Sequence, residues 1–470
     1  MAIGNRWSLS LLLSWLVLAV FAAFVLFLPL PFGSVLPWSH TVVQVTAFLL
    51  LAVAAIVSPR LADVRPAVLP AGCIASIALL GAIQASAVPP AIVRNLSPEH
   101  ARLQAGAAEV TRVAEVERGV ASTLSLNPAA SRTAALTWLA VAAGMLAAAA
   151  ASTERSGRRV LTFSLLTSAL FQVMLGATNL SLSPAAIWGM QVPNGPLRLR
   201  GSFINPDHLA LYLELARAVA FAWGWWAVRR AGYDSSLDRR IALLAPPAIV
   251  WLTLFVGLAF TGSRAGLIAA FVAIAVQGLL VALHRKRWRL GAAGIVSGLV
   301  GIGAVAFIGL QQGLGRWLAT SQYEVTWSDR LEVYRHSFGL WQRFPLTGTG
   351  LSTFRDAFTL VAPHELSSSG WYWHAHNDLL EILVTMGLVG AALVVVGLAV
   401  AVSRLVRLLG AGERSEDRAA ALAALGALTA VAVHSCFDFG LVMPANSVTL
   451  AIVVGAALAA QRTVVGGAEG

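Results

Sequence analysis

"HAHNDLLEILVTMGLVGAALVVVGLAVAV" runs from His374 to Val402. Its first eight residues hold two histidines, an asparagine, an aspartate and a glutamate, and after Glu381 only Thr385 interrupts an apolar run. About 20 apolar residues suffice for a helix to cross a hydrocarbon core of roughly 30 Å. Similar runs recur along the chain, and the reading gives twelve spans, at about 9–30, 38–57, 67–87, 132–152, 160–178, 207–228, 241–261, 265–283, 291–311, 377–403, 418–437 and 445–461. Only 12% of the 470 residues are charged and 58% are hydrophobic, whereas a soluble domain carries about 25% charged residues. The fold class expected is an all-α polytopic membrane protein of about 12 transmembrane helices.

The formal charge is +11, from 33 Lys+Arg against 22 Asp+Glu. Nucleic acid is not the expected partner, because these charges sit in short connections between spans. Lys286 is the one lysine. Cys73 and Cys436 both lie in apolar runs and suggest neither a disulfide framework nor a thiolate metal site. The first run, Leu9 to Pro31, follows Arg6 and reads as a retained span, not a cleaved signal.

Arginine placement orients the spans. With the N-terminus inside, the inner connections hold Arg6, Arg60, Arg65, Arg155, Arg158, Arg159, Arg229, Arg230, Arg239, Arg240, the stretch "HRKRWR" (284–289), Arg404, Arg407, Arg414, Arg418 and Arg462. The short outer connections hold Arg198, Arg200 and Arg264. This is the asymmetry of the positive-inside rule, and it places both termini in the cytoplasm. Two long outer loops escape the rule. In 88–131, Ser97 and Pro98 open an amphipathic helix with Leu103, Ala107, Val110 and Ala114 on one face, expected to lie on the outer surface. The other, 312–376, separates spans nine and ten. No tandem repeat, low-complexity tract or soluble domain is evident.

The polar residues near the membrane gather on the outer side. "RLRGSFINPDHLALYLELA" (198–216) puts Arg198 and Arg200 just before a helix that Asn205 caps and Pro206 opens. Free N–H groups at a helix start and two guanidiniums suit a diphosphate; interfacial snorkelling is the structural alternative, and Asp207 opposes an anion unless it is paired. Arg264 stands in a minimal turn in "AFTGSRAGLIAAF" (259–271), too close to hydrocarbon to lack a partner. Glu214 and Arg217, three residues apart on one helix face, are expected to pair with each other as a structural ion pair. His374 and His376 precede a helix that Asn377 or Asp378 caps. The helix start disfavours imidazolium, so His376 is a candidate general base, with Glu381 or Asp378 to orient it. A capping histidine is the alternative, as is a metal set of His374, His376 and Asp378, for which no further ligand cluster is evident. "HSCFDFGLVMPANSVTL" (434–450) adds His434 and Asp438 near the same surface, read as packing or gating groups, with Asn446 as a cap for the last span. There is no nucleotide fingerprint. The combination suggests transfer chemistry on a lipid-anchored diphosphate.

The stretches "RLRGSFINPDHLALYL", "TGSRAGLIA", "LTGTGLSTFRDAF" (346–358), "HAHNDLLEILVTMGLVG" and "HSCFDFGLVMPAN", in that order, resemble the O-antigen ligase and polymerase superfamily of bacterial envelopes. The resemblance divides the chain into N-terminal spans (1–190, with loop 88–131), a catalytic membrane region (191–461, with periplasmic loop 312–376) and a cytoplasmic tail (462–470). It implies a GT-C-like, inverting membrane glycosyltransferase with its active site at the periplasmic face of the inner membrane. The donor would be a glycan on undecaprenyl diphosphate and the acceptor a hydroxyl of lipid A–core or of a growing glycan. No cofactor and no metal are implied. The diphosphate would fall to Arg198 or Arg200 and to Arg264. His376, through its neighbour Asn377, would be the catalytic histidine, although His374 also aligns, and His374, Asn377, Asp378, Glu381 and Asp438 would support it. Thr385-Met386 departs from the family, which often has an acidic residue before the glycine. A protein O-oligosaccharyltransferase, or a flippase or exporter of lipid-linked glycans, are the alternatives.

Overall fold

The computed structural model describes residues 4–57, 61–115, 121–183, 186–191, 198–232, 236–285, 327–363, 372–411 and 414–459. Predicted span 291–311, most of "HRKRWR", Arg60, Arg316, Arg462 and the tail lie outside the described residues. The long helices are α1 (Gly4–Phe27), α2 (Pro37–Val57), α3 (Leu61–Gln84), α6 (Pro128–Ala151), α7 (Arg155–Leu182), α8 (Pro206–Ala231), α9 (Leu237–Phe260), α10 (Arg264–Arg285), α13 (Asp378–Ala411), α14 (Ser415–His434) and α15 (Pro444–Leu458). Between them lie helices α4 (Pro90–Leu96), α5 (Pro98–Val113), α11 (Trp327–Arg343) and α12 (Phe354–Phe358). A two-residue hairpin, Ala186–Ile187 with Met190–Gln191, is the one sheet among the described residues. The chain is thus nearly all helical and multi-pass, as expected.

Eight of the described helices are long and apolar enough to cross a membrane, so the described residues do not establish a count of twelve. Predicted span six, α8, is not among the eight. It carries Asp207, His208, Glu214 and Arg217 and is deeply enclosed, with every side chain from His208 to Ala220 buried. Its charges are shielded by α9, α10 and α14, not by lipid, which is how a membrane bundle tolerates them. Predicted span three was cut at Pro66, yet α3 runs through Pro66 and Pro70. Pro70 has no N–H for the Pro66 carbonyl four residues back, and the Arg404 guanidinium donates to that carbonyl instead.

The described parts of the two long loops are organised. Val333, Leu340, Phe344, Phe354, Ala357 and Phe358 form a small core that extends to Ala375 and Val384, with Leu103 of α5 against it. α5 therefore docks on this cap as well as facing solvent, where Val110 and Val113 are exposed. Ser97 does not cap α5 with its side chain; its hydroxyl meets His100 Nδ1 at 2.8 Å. Glu99 of the same helix takes hydrogen bonds from Arg102 and Arg343.

The cap is anchored through a break in α13. Gly387 adopts φ 62° and ψ −164°, a left-handed conformation that favours glycine. The loop Pro345–Gly350 enters the break: Leu388 and Val389 N–H donate to Pro345 and Leu346 carbonyls (2.9 and 3.2 Å), and Thr349 and Gly350 N–H donate to Val384 and Thr385 carbonyls (2.9 and 3.0 Å). Gln84, fully buried at the end of α3, donates to Thr347 O (2.6 Å) and Thr385 O (3.1 Å) and accepts from Leu351 N–H (3.0 Å). Backbone groups freed by a break inside a membrane must be satisfied by protein, and "LTGTGLS" does this. A Cβ on Gly348 would collide with the Thr385–Met386 peptide.

Candidate active site

α13 begins where the site lies. Asn377 caps it, accepting from Leu380 N–H at 3.0 Å and donating Nδ2–H to Cys436 O at 3.0 Å. His376, just before, has φ 51°, a cost for a residue with a Cβ that surrounding contacts must offset. Tyr334 of α11 does so, donating to His376 O at 2.8 Å. The turn 434–438 closes the site from α14: Asp378 N–H donates to Ser435 O (2.9 Å) and Asp438 O (3.1 Å), and Ser435 Oγ donates to the Asp378 carboxylate (2.8 Å).

Asp438 is the centre of the cluster. Its carboxylate is 3.8 Å from His376 Nδ1, 3.7 Å from His208 Nε2 and 3.6 Å from His434 Nε2. Burial favours its neutral acid, but the surrounding histidines, His376 and His434 first, hold its pKa well below the usual carboxylate range. Phe439 makes the floor. His374 stacks on it at 4.3 Å, and His208 and His376 meet it edge-on at 4.7 and 4.9 Å.

The two candidate histidines are therefore different. His374 Nδ1 is 2.8 Å from Glu381 Oε1, and Glu381 Oε2 accepts from Ala375 N–H. Burial lowers the His374 pKa, but the Glu381 carboxylate overcomes this and leaves it above the ordinary histidine value. His376 has its Nδ1 buried towards Asp438 while its side chain keeps 18% exposure. That exposure belongs to the rest of the ring, so Nε2 is the nitrogen able to meet an acceptor. The sequence assigned the orienting acid to Glu381 or Asp378. Both are engaged elsewhere, by His374 and Ser435, and the acid beside His376 is Asp438. For the same reason the metal set does not converge: His374, His376 and Asp378 turn to three different partners, and no group of three metal-binding side chains occurs among the described residues.

Two other expectations change. Glu214 hydrogen-bonds His434 Nδ1 at 2.8 Å, with both side chains fully buried, while Arg217 donates to Ala270 O at 3.1 Å. The pair expected within one helix is replaced by a contact between helices. Asn446 does not cap the last helix; it lies in the first turn of α15 and donates to His208 O (3.1 Å) and Gly440 O (3.0 Å), which fixes the α8 start beside Asp438.

The arginines lie at the same end of α8. Asn205 caps this helix as expected, accepting from Asp207 N–H at 2.9 Å. Asp207 is paired with Arg198 at 2.7 Å, and Arg198 Nε donates to Thr261 O at 2.5 Å. Arg198 therefore staples its loop to the α9–α10 turn and removes the repulsion that Asp207 would offer an anion. Arg200 is half-buried; burial, and then the charge of Arg198, hold its pKa below the usual guanidinium value. Arg264 opens α10, exposed, directly after that turn. The first turn of α8 thus touches both sets: Asp207 holds Arg198, and His208 faces Asp438.

His208, His434, Ser435, Phe439 and Tyr334 were not assigned to the site from the sequence. His208 and Phe439 stood in quoted stretches, but nothing in their spacing shows that α8 and the 434–439 turn meet.

Across known proteins, no curated protein matches the chain. Residues 248–395, which carry Arg264, the loop in the α13 break and His374 to Glu381, match the family model described as O-antigen ligase. This match supports the O-antigen ligase and polymerase superfamily over that stretch, in a chain whose apolar helices mark a multi-pass membrane protein.

Proposed function

We propose that the protein transfers a glycan from undecaprenyl diphosphate to a sugar hydroxyl at the periplasmic face of the inner membrane, as an O-antigen ligase or polysaccharide polymerase. The observation that carries this reading is His376, with Nδ1 turned to the buried Asp438 at 3.8 Å and its side chain still 18% exposed. In the proposed step, Nε2 takes the proton of the acceptor hydroxyl. The oxygen attacks the anomeric carbon, and the bond to the diphosphate oxygen breaks with its electron pair on the diphosphate. Asp438 stabilises the imidazolium that forms, and Arg200 and Arg264 offset the charge growing on the leaving group. A single displacement inverts the anomeric centre. His374 is held by the Glu381 carboxylate as a pair and stacks on Phe439 beside the base. Clustering of the polar groups at one end of the bundle supports an enzyme over a transporter, whose charges concentrate at the midplane.

The test is transfer by the purified protein in nanodiscs, from an undecaprenyl-diphosphate glycan to a defined acceptor. His376→Ala is expected to lower the rate about 10²–10⁴-fold; full activity would refute the base assignment. Deletion of the gene separates the two acceptors: glycan stranded on undecaprenyl diphosphate above a bare core marks a ligase, and loss of long chains marks a polymerase.

A further inference from the structure

At the far end of α8 from His208, an open groove lies between α7, α8 and α14. Its walls are apolar: Phe163 of α7, Val219, Trp223 and Trp226 of α8, and small alanines of α14. Its mouth is cationic. Arg155 and Arg159 are 56% and 61% exposed and share one carboxylate, Glu416, at 3.4 and 3.1 Å. Arg158 is 7% exposed and gives NH1 to Asp417 at 2.6 Å and NH2 to Ala459 O at 3.3 Å. Its buried Nε has no partner. Three guanidiniums thus meet two carboxylates, and a fourth, Arg230, lies 5.6 Å over the Trp226 ring. α7 and α14 both begin here, and neither N-cap residue, Glu154 nor Arg414, gives a side-chain cap bond. Two helix starts, the positive ends of their dipoles, therefore lie at the same mouth.

We infer that this groove binds a phospholipid with an anionic headgroup, from the leaflet on the arginine-rich side of the bundle. The phosphodiester lies among Arg155, Arg159 and the helix starts, above the Arg158 guanidinium, whose buried Nε–H has no protein partner. One acyl chain runs along Trp223 and Phe163. Basic pockets between membrane helices suit such headgroups, and a choline headgroup would bring a cation to a mouth with excess positive charge. The site is about 27 Å along α8 from His208, at about 1.5 Å per residue, so it is distinct from the transfer site. Its occupant would tie together α8 and α14, which carry His208 and His434 at their other ends.

The full chain, purified in detergent, is tested by native mass spectrometry and thermal unfolding with added phosphatidylglycerol, phosphatidylcholine or inorganic phosphate. One phosphatidylglycerol per chain and a raised Tm are expected. Arg155→Gln with Arg159→Gln, both on exposed side chains, should cut its retention at least tenfold, while Arg239→Gln with Arg240→Gln leaves it unchanged. Ala420→Leu, which fills the groove with the arginines intact, should also reduce retention. Equal retention of phosphatidylcholine, or undiminished phosphatidylglycerol in either groove variant, would overturn the inference. So would an equal rise in Tm with inorganic phosphate, which would mean a free-anion site.

Discussion

The sharpest consequence of the site concerns Asp438. When His376 takes the acceptor proton, its imidazolium forms 3.8 Å from a buried carboxylate. At an effective dielectric of about 20, a charge pair at that distance attracts by about 4 kcal/mol. At roughly 1.4 kcal/mol per decade this amounts to about 10³ in rate. His208 and His434 share the same carboxylate at 3.7 and 3.6 Å, which reduces the part realised at His376. Asp438→Asn keeps the shape of the side chain, and the Asp378 N–H bond goes to the Asp438 main-chain carbonyl, so the turn stays docked. The expected loss is about 10²–10³-fold in kcat, with Tm nearly unchanged. The assay is single-turnover transfer from a labelled undecaprenyl-diphosphate glycan in nanodiscs, beside a thermal melt. A rate within about threefold of wild type, alongside an inactive His376→Ala, would show that Asp438 does not act on the base.

Gly348→Ala should destabilise the protein by about 2–5 kcal/mol, because a left-handed residue gains a Cβ that meets the α13 backbone; a melt equal to wild type would contradict the docked loop. Arg200→Gln with Arg264→Gln should raise KM for the lipid-linked donor about tenfold or more, as charge-assisted bonds to the diphosphate are lost, whereas Arg198→Gln should chiefly lower Tm by unstapling the 198–205 loop. Glu99 is held down to about 2 from 4.5 by hydrogen bonds from Arg102 and then Arg343, against a burial that raises it. Its pKa is depressed on folding, so its contribution to cap docking is present above about pH 4.5 and is lost as the pH falls towards 2. Protease accessibility of the cap should rise over that window in wild type and be flat in Glu99→Gln.

Local chemistry made some features readable in the sequence. Asn205 and Pro206 open α8 because a short polar side chain and a ring lacking N–H suit a helix start. Asn377 before Leu380 follows the same rule. The apolar runs located the long helices because a bilayer demands a fixed apolar length, and the arginines and histidines beside the spans stood out because charge beside hydrocarbon is costly. α8 itself escaped a hydropathy criterion: its charges are answered by other helices, which composition cannot register.

What the sequence by itself determined was the class of molecule, the starts of α8 and α13 and the residue types that carry the chemistry. Partners were decided only by tertiary structure. Glu214 and Arg217 are neighbours on one helix, yet Glu214 binds His434, 220 positions away. Glu381 is one of the two acids that the sequence offers to orient His376, yet it holds His374, and Asp438 reaches His376 across the junction of α13 and α14. Spacing along one helix fixes which side chains share a face. Which of them meets a charge depends on where the other helices bring theirs, and in a low-dielectric bundle the closest opposite charge takes the contact.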